Sequence, residues 1–123
     1  MGCNYYIKNV FEQFSDDQKY HIGKMSYGWA FIFQGNVHKT FNEWVNFIEN
    51  LPESVYIFNE YEELVYADDF LRMVRHSQGK LNNKTYIQRE DVGDREKRFM
   101  NKLFEDGKIW IDEGFTFNDF EFC

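Results

Sequence analysis

Between Trp29 and Pro52 the apolar residues change period, and that change limits the folds open to this chain more than any other feature. In Trp29-Ala30-Phe31-Ile32-Phe33-Gln34 the aromatic residues recur at every second position, which gives a strand one core-facing side. From Phe41 the spacing becomes helical, with Phe41, Trp44, Val45, Phe47 and Ile48 on one stripe. Thr40 is a good N-cap, Glu43 follows three residues later as in a capping box, and Pro52 closes the pattern. A strand and a helix that each present one apolar face belong in a layered α+β domain.

The remaining segments fit that class. Residues 3 to 10 have the composition of a strand, and Phe11 to Gln18 form a polar break. Lys19 to Ile22 and Gly28 to Phe33 are expected as two strands joined by Gly-Lys-Met-Ser-Tyr-Gly. Val55 to Phe58 and Leu64 to Tyr66 flank an acidic turn and predict a second hairpin. A second helix begins at Asp68, places Phe70, Leu71, Val74 and Arg75 at helical intervals, and ends at Gly79. Residues 80 to 94 are polar and are expected as a loop or a weak strand around Thr85-Tyr86-Ile87. Arg95 to Phe104 make a third, short helix, and Ile109, Ile111, Phe115 and Phe117 a closing hairpin that turns at Asp112-Glu113-Gly114. With no internal repeat and no linker, residues 1–123 are expected as a single compact α+β domain: an antiparallel sheet of short hairpins packed by two or three helices.

Bulk properties narrow the function classes. At 123 residues, with 43% hydrophobic and 20% aromatic content, the chain is long and apolar enough for one folded core. No stretch approaches the roughly 20 apolar residues of a membrane span, so no membrane association is expected. The start, Met1-Gly2-Cys3-Asn4, has neither the basic nor the apolar region of a signal peptide. A myristoylation motif would want Ser or Thr where Tyr6 stands. Cys3 and Cys123 lie at opposite ends, and with His21, His38 and His76 they show no metal-ligand spacing. Neither a metal nor a cofactor is expected. The net charge is −7, and from Glu53 to Asp69 there are six acids and no Lys or Arg. That balance disfavours direct DNA or RNA binding, because long-range repulsion would oppose a polyanion.

His21-Ile22-Gly23 followed by Lys24-Met25-Ser26 spells fragments of two synthetase motifs that hold ATP. In those enzymes the first motif opens a helix after a parallel strand, whereas here a strand-like segment follows almost at once. The match is a coincidence of letters. A broader resemblance covers most of the chain. Asn4-Tyr5-Tyr6, then His21-Ile22-Gly23-Lys24, Ser26, Gly28-Trp29 and Phe31, resemble a family of small uncharacterised proteins of tailed bacteriophages and prophages. Phe41-Asn42-Glu43-Trp44 is similar to that family's Leu-x-x-Trp helix. The segment from Phe58 to Val74 is similar to its Asp-Glu-Tyr-Gly hairpin and following helix, and the end from Asp112 to Cys123 to its Gly-Tyr-x-Phe close. Many relatives carry a Cys-x-x-Cys pair between the first two motifs, which implies a zinc knuckle. Residues 7 to 20 contain no cysteine, so that metal is not carried over. The resemblance implies a viral origin and work in the cytoplasm of an infected bacterial host, without bringing an activity.

Two groups of residues are candidates for function. Asn4, Tyr5, Tyr6, His21, Lys24, Ser26 and Trp29 would converge if the first strand lies beside the hairpin that follows. Lys24 would supply a charge, Ser26 and main-chain N–H groups donors, and an aromatic ring a stacking surface for a nucleotide. The same residues also serve as a polar cluster that fixes the hairpin. A Ser26–His21 hydrolase with Asp16 or Asp17 as orienting acid has no spacing of its own in support. Glu60, Tyr61, Glu62, Glu63, Asp68 and Asp69 form the second group, in which acids would meet a basic surface and tyrosines anchor the contact. Such acids also make an ordinary solvated face with a charged helix start. The expected function is that of a phage accessory protein, more a binder than an enzyme. It would inhibit or modulate a host protein with a basic surface, such as a defence or nucleic-acid-processing factor. The alternative is a small nucleotide-binding module, sponge or enzyme, built on His21, Lys24 and Ser26.

Overall fold

The computed structural model describes residues 2–9 and 20–120. In chain order its elements are β1 (Gly2–Asn9), β2 (Tyr20–Ser26), β3 (Ile32–Gln34), α1 (Phe41–Glu49), β4 (Val55–Asn59) and β5 (Leu64–Val65). They continue with α2 (Ala67–Ser77), α3 (Asn83–Ile87), α4 (Asp94–Glu105), β6 (Ile109–Asp112) and β7 (Phe115–Asn118). The expected break at residues 11 to 18, the acids Asp16 and Asp17, and Cys123 lie outside the described residues.

The strands form one sheet in the order β5-β4-β1-β2-β3-β7-β6. Neighbours are antiparallel except β3 and β7, which run parallel with Phe33 opposite Phe117. The fold is α+β, as the alternation of periods predicts. The hairpins join in a single sheet, as expected, and its one parallel pair arises because the closing hairpin docks its β7 on β3.

Helix α1 starts where the sequence places it. Glu43 N–H donates to Thr40 Oγ1 at 3.2 Å. The Glu43 carboxylate takes the N–H of Lys39 at 3.0 Å, one residue before the cap. Phe41 N–H donates to Asp112 Oδ2 at 2.7 Å, which ties the first turn of α1 to the end of β6. The apolar stripe then lies on the sheet: Trp44 is 1% exposed and its Nε1 donates to the Gln34 carbonyl at 3.0 Å. Phe33 is the hub of this layer, with the rings of Phe31, Phe41, Trp44, Phe115 and Phe117 at centroid distances of 4.7 to 6.2 Å. Helix α2 covers the neighbouring strands through Phe70, Leu71 and Val74.

The other sheet face differs along its length. Phe115 and Phe117 point to α1, so Thr116 and Asn118 point away, together with their register partners Ile111 and Ile109. Asn83 N–H donates to Thr116 Oγ1 at 3.1 Å, and α3 and α4 cover this end with Ile87 and Phe104. Helix α3 falls where a loop or weak strand is expected. Asn82 Oδ1 accepts the Thr85 N–H at 2.9 Å while Thr85 Oγ1 accepts the Asn82 N–H at 2.9 Å, and that reciprocal cap starts the turn.

Strand β2 runs to Ser26, past the expected turn at Gly23. A side chain at Gly23 would collide with the Ile32 carbonyl and the Phe31 ring, so glycine lets β3 approach. Trp29 lies outside β3, and its ring sits 5.3 Å from that of Tyr86, away from the core stripe of Phe31 and Phe33. The closing hairpin turns through Glu113 (φ 52°) and Gly114 (φ 84°), the left-handed pair of a two-residue primed turn. Among the described residues, no helix is long and apolar enough to cross a membrane.

Candidate functional site

Alternation along β1 separates the first candidate group. Tyr5 and Ile7 face the helices: Tyr5 packs on Phe70 at 5.2 Å and Phe31 at 6.1 Å, and its hydroxyl donates to Met73 Sδ at 3.3 Å. Burial pushes the Tyr5 phenol up to about 12, helped by the neighbouring Cys3 and Glu60. Asn4, Tyr6 and Lys8 take the other face. There His21 Nε2 lies 3.0 Å from Asn4 Oδ1, and the His21 ring stacks on Tyr6 at 5.0 Å.

Lys24 stands opposite Asn4 in the β1–β2 register, and Ser26 stands opposite Gly2. A side chain on Gly2 would collide with the Lys24 stem and crowd the Ser26 hydroxyl, so Gly2 gives Lys24 its path along the sheet. The structure therefore brings Asn4, Tyr6, His21, Lys24 and Ser26 to neighbouring strands. Tyr5 it places in the core, and Trp29 beside α3. One residue of this face, Lys8, carries no sequence signal of its own. Lys8 is 4% exposed, pairs with the Glu62 carboxylate, and holds its ammonium 5.2 Å from the Phe58 ring centroid. Its burial follows from strand pairing that no local pattern announces.

The second candidate group occupies the opposite edge of the sheet from β6, on the β4–β5 hairpin and the start of α2. Asn59 Oδ1 accepts the N–H groups of Tyr61 and Glu63 at 2.9 and 3.0 Å, which shapes the acidic turn. Two of its acids, themselves exposed, reach across to β1: Glu60 accepts the Asn4 N–H at 2.7 Å, and Glu62 pairs with Lys8. Glu63, Asp68 and Asp69 are exposed, Asp69 within 3.3 Å of Arg72. Tyr61 and Tyr66 are about two-thirds exposed, and Leu64 and Tyr56 also reach solvent.

Beside this hairpin, α1 and β4 leave an open groove of about 640 Å³ between Ile48, Leu51, Val55, Val65 and Ala67. Glu49 and Glu53 line it, and among the described residues no Lys or Arg does. From residue 40 to residue 71 the chain holds eight acids and no Lys or Arg. No local sequence pattern announces the groove, because its lining comes from the end of α1, the turn at Pro52, β4, β5 and the start of α2.

The basic stretch from Arg72 to Arg98 is partly neutralised within the fold. Arg89 makes two bonds to Asp91 at 2.7 and 2.9 Å, and the Tyr86 hydroxyl donates to Glu96 at 3.1 Å. Among the described residues, no group of three His, Cys, Asp or Glu side chains is placed to hold a metal ion.

Compared with protein-family models, with curated proteins and with solved structures, the chain matches none.

Proposed function

We propose that the protein is a phage-encoded accessory protein that works in the cytoplasm of an infected bacterium by binding a host protein through its acidic, aromatic β4–β5 face. The observation that carries this reading is the exposure of Tyr61 and Tyr66 on one short hairpin whose surroundings lack any cation between residues 40 and 71. Tyrosines supply large, rigid contact area with a polar tip, and they are enriched at the anchor points of interfaces. A surround in net acidic, with Lys8 and Arg72 already paired to Glu62 and Asp69, speeds encounter with a basic partner and repels nucleic acid. The viral origin rests on the sequence resemblance alone.

Baits test this directly. Wild-type protein and a Tyr61→Ala/Glu63→Lys/Asp68→Lys variant are incubated with bacterial lysate, beside His21→Ala. The reading expects a retained protein that the triple variant loses and His21→Ala keeps; the reverse pattern overturns it.

A second reading, nucleotide binding, draws on the convergence of Asn4, Tyr6, His21 and Lys24 on one sheet face. It is the weaker of the two, because Asn4 and His21 already bond to each other and Tyr5 and Trp29 lie elsewhere.

A further inference from the structure

We propose that the groove between the end of α1 and the β4–β5 edge is the seat for a basic peptide segment of the partner, one that carries a large apolar anchor. This rests on the protein-binding reading and names the contact within it. The floor is apolar and closed: Ile48 and Ile57 are 2% and 1% exposed. Its volume, about 640 Å³, lies within the roughly 300–1,000 Å³ of sites that bury most of a small ligand, enough for one or two large side chains. Tyr56 and Tyr66 stand at its sides as exposed rings.

Charge selects the flanks of the occupant. Glu49 and Glu53 are exposed members of the lining, and Asp68 and Asp69 follow directly after Ala67 on α2. The last turn of α1 also ends here without a basic residue, so its carbonyl ends add negative potential at the mouth. An acidic or neutral peptide gains nothing from these groups, whereas Lys or Arg on either side of an apolar anchor meets carboxylates. The backbone leaves room as well, because β5 pairs with β4 only at Ile57 and Phe58. Beyond them Val55 turns its N–H to the Pro52 carbonyl at 3.0 Å, and among the described residues no strand pairs with the β5 side of β4 there, β1 holding the other side.

The test pans a display library of fully randomised nine-residue peptides against the intact protein. Enriched sequences are expected to combine Lys or Arg with at least one large apolar residue. A fluorescein-labelled representative should bind Ala67→Trp, which fills the groove, at least tenfold more weakly. The same loss is expected for Glu49→Lys/Glu53→Lys, whose exposed sites leave the core intact, and for the peptide with its apolar residue changed to Ser. No enrichment, enrichment of peptides without cations, or unchanged affinity for the charge-reversed protein overturns the proposal. The two levels separate cleanly. If the lysate partner is lost on the Tyr61/Glu63/Asp68 changes but kept by the groove variants, the groove inference fails and the protein-binding reading stands. If neither set of changes releases it, the reading itself fails.

Discussion

The main-chain N–H of Asn4 donates to Oε1 of Glu60 at 2.7 Å, joining the acidic turn to β1 just beyond the last β1–β4 pair. An acid that looks like part of a solvated face is thereby structural. Hydrogen bonds of this kind contribute about 1 kcal/mol net, more when the acceptor is charged. Glu60→Ala should lower stability by about 1 kcal/mol in urea unfolding. Glu63→Ala, whose exposed carboxylate accepts from the Asn59 side-chain amide at 3.0 Å, should change it little. Equal effects from the two would refute the distinction.

Glu113 occupies the first position of the closing turn with φ at 52°, a conformation that costs an ordinary side chain about 1–2 kcal/mol and Asn much less. The contact it makes there is through its carbonyl, which accepts from Gln78 Nε2 at 2.7 Å and survives any substitution of the side chain. Glu113→Asn creates the favoured Asn-Gly pair and should stabilise the protein by about 0.5–1 kcal/mol. A thermal midpoint that fails to rise would show that the turn carries no strain.

His38 packs its ring against Trp44 at 4.7 Å and Phe47 at 4.6 Å. Burial lowers its pKa from the ordinary 6.5, with the Glu43 carboxylate opposing in part. The unfolded state therefore takes up the proton first as pH falls. The contribution of His38 to stability is complete above about pH 6.5 and is lost as pH drops from there through the lower folded value. His38→Phe keeps an aromatic in place and removes the titration. Urea midpoints at pH 7.5 and 5.5 should fall further for wild type than for the variant; parallel falls would assign the change to other groups.

What could be read from sequence was local. Thr40, Glu43 and the stripe ending at Ile48 announce α1 within a dozen residues, and Gly114 announces the last turn. Pairings across the chain left no such trace. Nothing near Phe33 says that it lies beside Phe117 in parallel, nor that Lys8 will be buried under Glu62. The register irregularity between Tyr5 and Tyr6 comes from an extra residue on β2, which sets Lys24 opposite Asn4 and His21 opposite Tyr6, so the shared face of His21 and Lys24, three residues apart, required both strands. Helix α3, five residues long, is too short for periodicity to reveal.

His21 separates the two functional readings because its known bonds are internal. Its Nε2 meets Asn4 Oδ1 at 3.0 Å and its ring stacks on Tyr6, so His21→Ala should cost about 1–2 kcal/mol in stability under either reading. Ligand response divides them. A nucleotide held at a hundred times its dissociation constant would add about 2.7 kcal/mol and raise the melting temperature by several degrees. The protein-binding reading expects ATP, GTP and cyclic dinucleotides to leave the wild-type midpoint unchanged, and His21→Ala to keep its partner once the temperature is low enough for it to be folded. A midpoint that rises with one nucleotide, and no longer rises when Lys24 is changed to Ala, would move the function from the acidic hairpin to the face of β1 and β2.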